Sequence, residues 1–489
     1  MIGTVDLMVF FIYFLAVIII GVVSYKKVKG EKDYALAGRS LGWPVTIGTL
    51  VATMIGSSAA MGKAGTAYEL GIGIMWSPIA ILIGYIIFSL FIAHKLRQSD
   101  SWTVPDVLEK RFGQGVRRLS AIVLIFAVVS IFGAQLIAMG IVFQLAGEPM
   151  GINYQLAILI AGTILVLYTT LGGLYAVAFT DVLQFGIMIP VIAIVLPIMV
   201  FGSGDISFSE LSARLEPRMF NIFTGVPITL IVGLLFTYIP GVIIDQSIWQ
   251  RVMSAKNAQV ARWSPLISGG IYFYFSVVVV LLGMAGVLLY PNVIAEHGDA
   301  DGILPLMIAH YLPTGLTGMG LTALFAVAMS TASTTLLVAA VIVAKDLVPA
   351  FTKKELSDSD ELRISRIASI IIGLVGVIFA LTFSGIFWIM MIAYGIFVAG
   401  LFFPVVFALF WKKATKKAAI ISIIASTVVM LVFLVIPTGI EAIIPASITS
   451  FIFMVVISLV TYRNEQLTPP VLSAEELQRL QSSKSLKGE

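Results

Sequence analysis

The chain has 489 residues, 59% hydrophobic and 11% charged, with a mean hydropathy of +1.05. That excludes a water-soluble globular domain and points to an all-α polytopic membrane protein. With no cysteine and three scattered histidines, disulfides, thiolate chemistry and a histidine-based metal site are excluded, and a net charge of +4 gives no basic face for nucleic acid.

Runs of about 20 apolar residues predict thirteen spans, at roughly 6–24, 45–68, 74–93, 119–146, 153–172, 181–202, 226–249, 264–290, 314–344, 367–384, 386–411, 418–437 and 442–462. The first, Leu7 to Ser24, lacks a preceding basic segment and is followed by lysines rather than a cleavage site. It is expected to remain as a span. Between Pro291 and Thr314, the segment Ile303 to Tyr311 reads as a short interfacial helix, and Ser473 with Glu476 reads as a capping box in the polar tail. Residues 1–465 form one transmembrane domain on this reading, and 466–489 a cytoplasmic tail.

The loops alternate in charge. Basic residues crowd the loops after spans one, three, seven, nine and eleven, and the tail; of 30 in all, only Arg214, Arg218 and Lys63 fall elsewhere. The positive-inside rule therefore predicts a multi-pass protein of the cell membrane, its N-terminus outside and its C-terminus cytoplasmic.

Three spans depart from the composition lipid alone would select. Pro44 to Gly65 carries Gly56, Ser57 and Ser58 at its middle. Irregular backbone at membrane depth is tolerated where protein covers it or it lines a cavity, so this span reads as a discontinuous helix beside a solute pathway. Pro227 to Gln250 carries Pro240–Gly241 at its middle and Asp245 towards its inner end; proline with glycine is expected to break it there. These are spans two and seven, five apart and opposite in direction. That spacing predicts an inverted five-plus-five repeat, about 44–202 and 226–411, with a solute site near the midplane between the breaks. Ala326 to Thr335 (AVAMSTASTT) places Ser330 and Thr331 side by side within span nine. Such hydroxyls bond back to their own helix or a neighbour; beside free carbonyls they make a neutral-oxygen site suited to Na⁺.

The chain resembles the sodium:solute symporter family. The likeness runs from about Asp33 to Lys417, through DYALAGRSLG, YTTLGGLYAVAFTDVLQ at 168–184, WQRVMSAKNAQVARW at 249–263, AMSTASTTLL at 328–337 and GLFFPVVFALFWKKATKKAA at 400–419. It implies a LeuT-type inverted repeat with one extra helix before it and two after. It also implies a sodium site of the Ala52, Ile55 and Val327 carbonyls with the Ser330 and Thr331 hydroxyls. Asp181 matches an acid of the inner sodium exit path; the alternative is a pair with an inner-loop arginine or lysine. Met54 stands where the sodium–proline carriers have an aspartate.

Polar groups able to reach the level of the breaks are Ser57, Ser58, Gln135, Tyr168, Tyr238, Asp245 and Gln246. Asp245 suits an amino or quaternary ammonium group, or else caps the interface with Arg251; Gln135 lines the cavity or ties two helices together. Lys63 either snorkels outward or pairs with Glu69. The expected activity is sodium-coupled symport of a small organic solute by alternating access, with Na⁺ as coupling ion and one chain sufficient. A proton-coupled or sodium-independent carrier of the same fold is the alternative, and an ion channel the more distant one. No nucleophile or metal constellation suggests an enzyme.

Overall fold

The computed structural model describes residues 3–98, 101–147, 150–297, 300–352, 356–383, 386–436, 438–465 and 467–471. The Ser473–Glu476 capping box lies outside them. The main helices are α1 (Thr4–Tyr25), α2 (Trp43–Met54), α3 (Lys63–Leu70), α4 (Trp76–Ile87), α5 (Gln114–Gly147), α6 (Tyr154–Pro190), α7 (Ile228–Ile244), α8 (Gln246–Ser254), α9 (Ala258–Leu289), α10 (Leu316–Ile342), α11 (Asp358–Thr382), α12 (Ile386–Phe410), α13 (Lys416–Val435) and α14 (Ile443–Thr461). The helix expected at Ile303–Tyr311 is present over those residues.

Among the described residues, eleven helical runs are long and apolar enough to cross a membrane. Two of them, Ser58–Gln98 and Tyr154–Gly202, contain a positive-φ glycine where the sequence reading separates two spans, at Gly71 and Gly173. At Gly173 (φ 51°, ψ −146°) the backbone leaves the helical region, and an added Cβ would lie 2.5 Å from the Tyr34 ring. Only glycine meets both conditions without strain.

Burial ranks the helices from the centre outward. The apolar window of the run containing α10 is 94% buried, against 33% for α1, α13 and α14. Gly318, Gly320, Ala323, Ala326 and Ala328 let neighbours approach α10 closely, whereas α1 and α14 turn Ile12, Leu15, Ile448 and Val460 outward, as lipid-facing helices do. Asp6 fastens α1 to the start of α10, accepting from the backbone N–H groups of Gly315 and Gly318 at 2.7 and 2.8 Å. A carboxylate at a helix N-terminus meets unpaired donors and the positive end of the macrodipole. The segments beside the two broken spans are joined directly: Leu41 N–H donates to Ser254 O at 3.1 Å and Lys256 N–H to Leu41 O at 2.8 Å.

In the loop after α1, Glu31 is fully buried. It accepts from Ser365 Oγ at 3.0 Å, and its N–H donates to Asp358 at 3.1 Å. Burial raises its carboxyl pKa from 4.5 to about 8. The native state then binds a proton that the unfolded chain has released, so this contribution to stability is complete below about pH 4.5 and is lost as pH rises towards about 8. Glu31→Gln is expected to remove it. In detergent melting curves across pH 5–8 (roughly), the wild type should lose stability relative to the variant by up to about 1.4 kcal/mol per unit; parallel profiles would refute the assignment.

Candidate functional site

The first broken span stops at Ile55 (φ −83°, ψ 75°) and resumes at Ser58 in a wide π turn leading into α3. Gly56 permits a close approach here: an added Cβ would lie 2.7 Å from Thr331 Oγ1 and 3.2 Å from Gln135 Oε1. The N–H of Ser57, freed by the break, donates to Gln135 Oε1 at 2.9 Å. A buried amide at membrane depth is costly unless bonded, and Gln135 satisfies its own oxygen and the open helix end together. Of its two expected roles, tying α5 to the broken span is the one visible.

The carbonyls released at the end of α2 face α10. Ser330 Oγ donates to Ala52 O at 2.6 Å and lies 3.0 Å from Val327 O. Thr331 Oγ1 donates to Thr53 O at 2.9 Å. Ala52, Val327 and Ser330 thus converge, Ile55 is the residue at the break, and Thr331 reaches a neighbouring carbonyl, Thr53, that the sequence reading did not name. The set consists of neutral oxygens, and no group of three or more acidic or histidine side chains able to hold a metal occurs among the described residues. Such oxygens fit a hard monovalent cation, and the hydroxyl protons need only rotate away to present lone pairs to it.

The second break is not where the sequence reading put it. The helix continues through Pro240–Gly241 and stops at Asp245 (φ −63°, ψ 117°). Proline removes one donor, which a buried helix can absorb; Asp245 supplies an alternative acceptor that starts a new helix. Its Oδ1 accepts from the N–H groups of Ser247 and Ile248 at 2.8 and 3.2 Å, as an N-cap does. Its Oδ2 accepts from Tyr394 OH at 3.1 Å. Asp245, Tyr394, Thr331, Thr335, Thr53 and Met54 border one cavity with about 30 Å³ of room, enough for roughly one water. A solute can enter only after these walls part.

Asp181 and Arg251 form a fully buried ion pair, Oδ2 to Nη2 at 3.1 Å. Thr49 donates to the same carboxylate oxygen; Arg251 also donates to Thr49 Oγ1 at 2.9 Å and to Thr334 Oγ1. Arg251, read from sequence as a loop residue, lies buried within α8. It pairs with Asp181, not with Asp245. The network joins α2, α6, α8 and α10 just beyond the oxygen set at Ser330.

Other expected residues disperse. Gln246 accepts from Val104 N–H at 2.7 Å and donates to Trp102 O at 3.2 Å, so its amide holds an inner loop while its chain borders the cavity. Tyr238 packs against Tyr394, ring centroids 6.1 Å apart. Ser57 Oγ is buried without a partner, and Ser58 is half-buried in the π turn. Tyr168 lines an apolar crevice with Ile18, Gly21 and Leu171 of α1 and α6. Lys63 does not snorkel: it is buried and donates to Tyr272 OH and Ser276 Oγ, both at 3.0 Å. Tyr394 was missed; a tyrosine at mid-span is its only signal in the sequence.

The sodium:solute symporter family model matches residues 34–426. The chain is 28% identical over 473 residues to the osmoregulated proline transporter OpuE of Bacillus subtilis (strain 168), covering 92% of this chain and 94% of that one. It is 26% identical over 464 residues to the sodium/glucose cotransporter of Vibrio parahaemolyticus, covering 86% and 83%. Among solved structures, a substrate-bound, outward-open Na⁺-coupled sialic acid symporter superposes with a TM-score of 0.79 at 20% identity, covering 96% of this chain and 99% of that one. Mhp1, of the nucleobase-cation-symport-1 family, gives 0.60 at 14%, covering 92% and 98%; both share its LeuT-type fold. The chain therefore belongs to the sodium:solute symporter family, membrane carriers, not enzymes, that couple the movement of a solute to Na⁺.

Proposed function

We propose that this protein carries a small amine-bearing organic solute, of the amino-acid class, into the cell together with Na⁺. Sodium is held by the Ala52, Ile55 and Val327 carbonyls with Ser330 and Thr331, and leaves inward past Asp181. The clustering of basic residues supports an outer N-terminus and a cytoplasmic C-terminus. The observation that carries the substrate class is Asp245: a carboxylate at the second break, bordering the same cavity as Thr331, with Tyr394 as its hydroxyl partner. A sugar carries no charge to match this carboxylate, whereas an ammonium group would gain a charge-assisted hydrogen bond from it. The named function of the proline-carrying relative agrees with this choice.

Sodium binding from outside joins the first break to α10 and favours the state that accepts solute. A membrane potential contributes about 2.3 kcal/mol per charge per 100 mV, roughly fiftyfold accumulation of a neutral solute per ion. Release follows when the helices carrying the breaks rock against α5 and α10.

The test is uptake into proteoliposomes of labelled L-proline, other neutral amino acids, glycine betaine and D-glucose, with and without an inward sodium gradient. Gradient-driven uptake of an amine, weakened about 30-fold or more by Asp245→Asn, is expected. Uptake of glucose alone, or Asp245→Asn behaving as wild type, would overturn the amine reading.

A further inference from the structure

A second cavity lies between the first halves of α7 and α12 and the turn that joins α13 to α14. It has about 580 Å³ of room, within the range of small-ligand sites, and no residue lines both it and the cavity at Asp245. On the orientation proposed above it faces the outside of the cell. Most of its wall is apolar, including Phe433, Met391 and Met430.

Two polar groups on that wall lack partners. Glu441 is half-buried, and none of the ion pairs among the described residues includes it. Its chain lies against α7 at Gly233, where an added Cβ would be 2.7 Å from Glu441 Cγ. Burial holds its pKa above the ordinary carboxylate value, the condition of an acid without a cation beside it. Thr237 is fully buried, and its hydroxyl has no hydrogen-bond partner. A helical threonine commonly donates to the carbonyl one turn back, as Thr322 and Thr335 do. Thr237 does not, and it borders the cavity. A buried hydroxyl left unbonded calls for a ligand.

We propose that this cavity is a regulatory site for an organic ammonium ion with an apolar body, separate from the site of the transported solute. Glu441 is its counter-ion, Thr237 its hydroxyl partner, and Phe433 offers an aromatic face to the cation. Among the described residues no lysine, arginine or histidine lines the cavity. A phosphate or carboxylate on the ligand would therefore go unmatched, which favours a simple amine over a phospholipid headgroup or an amino acid.

The same helices hold Asp245. α7 runs from this cavity to the second break, and α12 carries Tyr394, which donates to Asp245. The Met430 methyl, on the cavity wall, occupies the place a Cβ would take at Gly395, the residue after Tyr394. A bound amine fixes α7 against α12 and α13 and so slows the rocking described above. This effect on transport rests on that reading; the binding itself does not.

The experiment is equilibrium binding of labelled 2-phenylethylamine to the purified full-length carrier in detergent, followed by uptake in proteoliposomes. Saturable binding is expected, with 2-phenylethanol and L-phenylalanine, which lack the net positive charge, competing at least about 10-fold more weakly. Glu441→Gln should weaken binding by on the order of 10-fold or more, and Thr237→Val by about fivefold. The second variant provides the reading if the first fails to fold. Asp245→Asn should leave the affinity unchanged. In uptake, the amine should lower the maximal rate without raising the KM of the solute, and Glu441→Gln should escape this inhibition. Binding lost in Asp245→Asn and kept in Glu441→Gln would place the amine in the solute site and overturn the proposal. Binding abolished by added phosphatidylethanolamine would make a lipid the occupant and overturn it equally. Binding as described in a carrier that takes up glucose alone would leave this site standing while the amine reading of Asp245 fell.

Discussion

Replacing Ser330 and Thr331 together with alanine is expected to abolish sodium-stimulated uptake while leaving the protein folded. Each hydroxyl bonds a carbonyl released where α2 ends, Ala52 O at 2.6 Å and Thr53 O at 2.9 Å. As neutral hydrogen bonds they contribute about 1 kcal/mol each to stability, and alanine is the best helix former for the vacated positions. As contacts to a cation, each oxygen is worth roughly 1.5–3 kcal/mol, so losing both should weaken sodium activation by on the order of 100-fold or more. Uptake against sodium concentration, together with a gel-filtration profile of each variant, checks both halves. A double variant with an unchanged sodium curve would remove this helix from the ion site.

The second large effect is expected at Asp181 and Arg251, where stability rather than sodium affinity should fail first. Both side chains are fully buried, so Arg251→Met leaves a carboxylate, and Asp181→Leu a guanidinium, without its ion-pair partner in a low-dielectric interior. Breaking such a pair costs roughly 3–5 kcal/mol, whereas replacing both members by apolar groups can be nearly neutral. Each single variant should melt well below the wild type in detergent, and Asp181→Leu/Arg251→Met should recover most of the loss. Transport should not recover with it, because the polar path between α2, α6, α8 and α10 would be gone. Singles as stable as the wild type would show that the pair is not what joins these helices.

Much of the architecture was written in the chain. Apolar run length and the glycine–serine interruption at 56–58 depend on local composition, which sets whether a segment can sit in lipid and where its ladder must stop. The Ser330–Thr331 pair was legible for the same reason: two hydroxyls on a helix otherwise rich in alanine and leucine stand out against their neighbours.

What only the tertiary structure decided was partnership. Proline at 240 looked like the second break, yet packing carries the helix through it and Asp245 ends it, because a side-chain acceptor can start a new helix where a missing donor cannot. Arg251 read as a loop charge until α8 buried it against Asp181. Lys63 had two conventional outlets and took neither, since α9 presents Tyr272 and Ser276 to it. Tyr394 carried no signal beyond being aromatic. The free energy of a buried charge depends on which oxygens lie within about 3 Å, and those come from helices far apart in the sequence, which periodicity and composition along one chain do not encode.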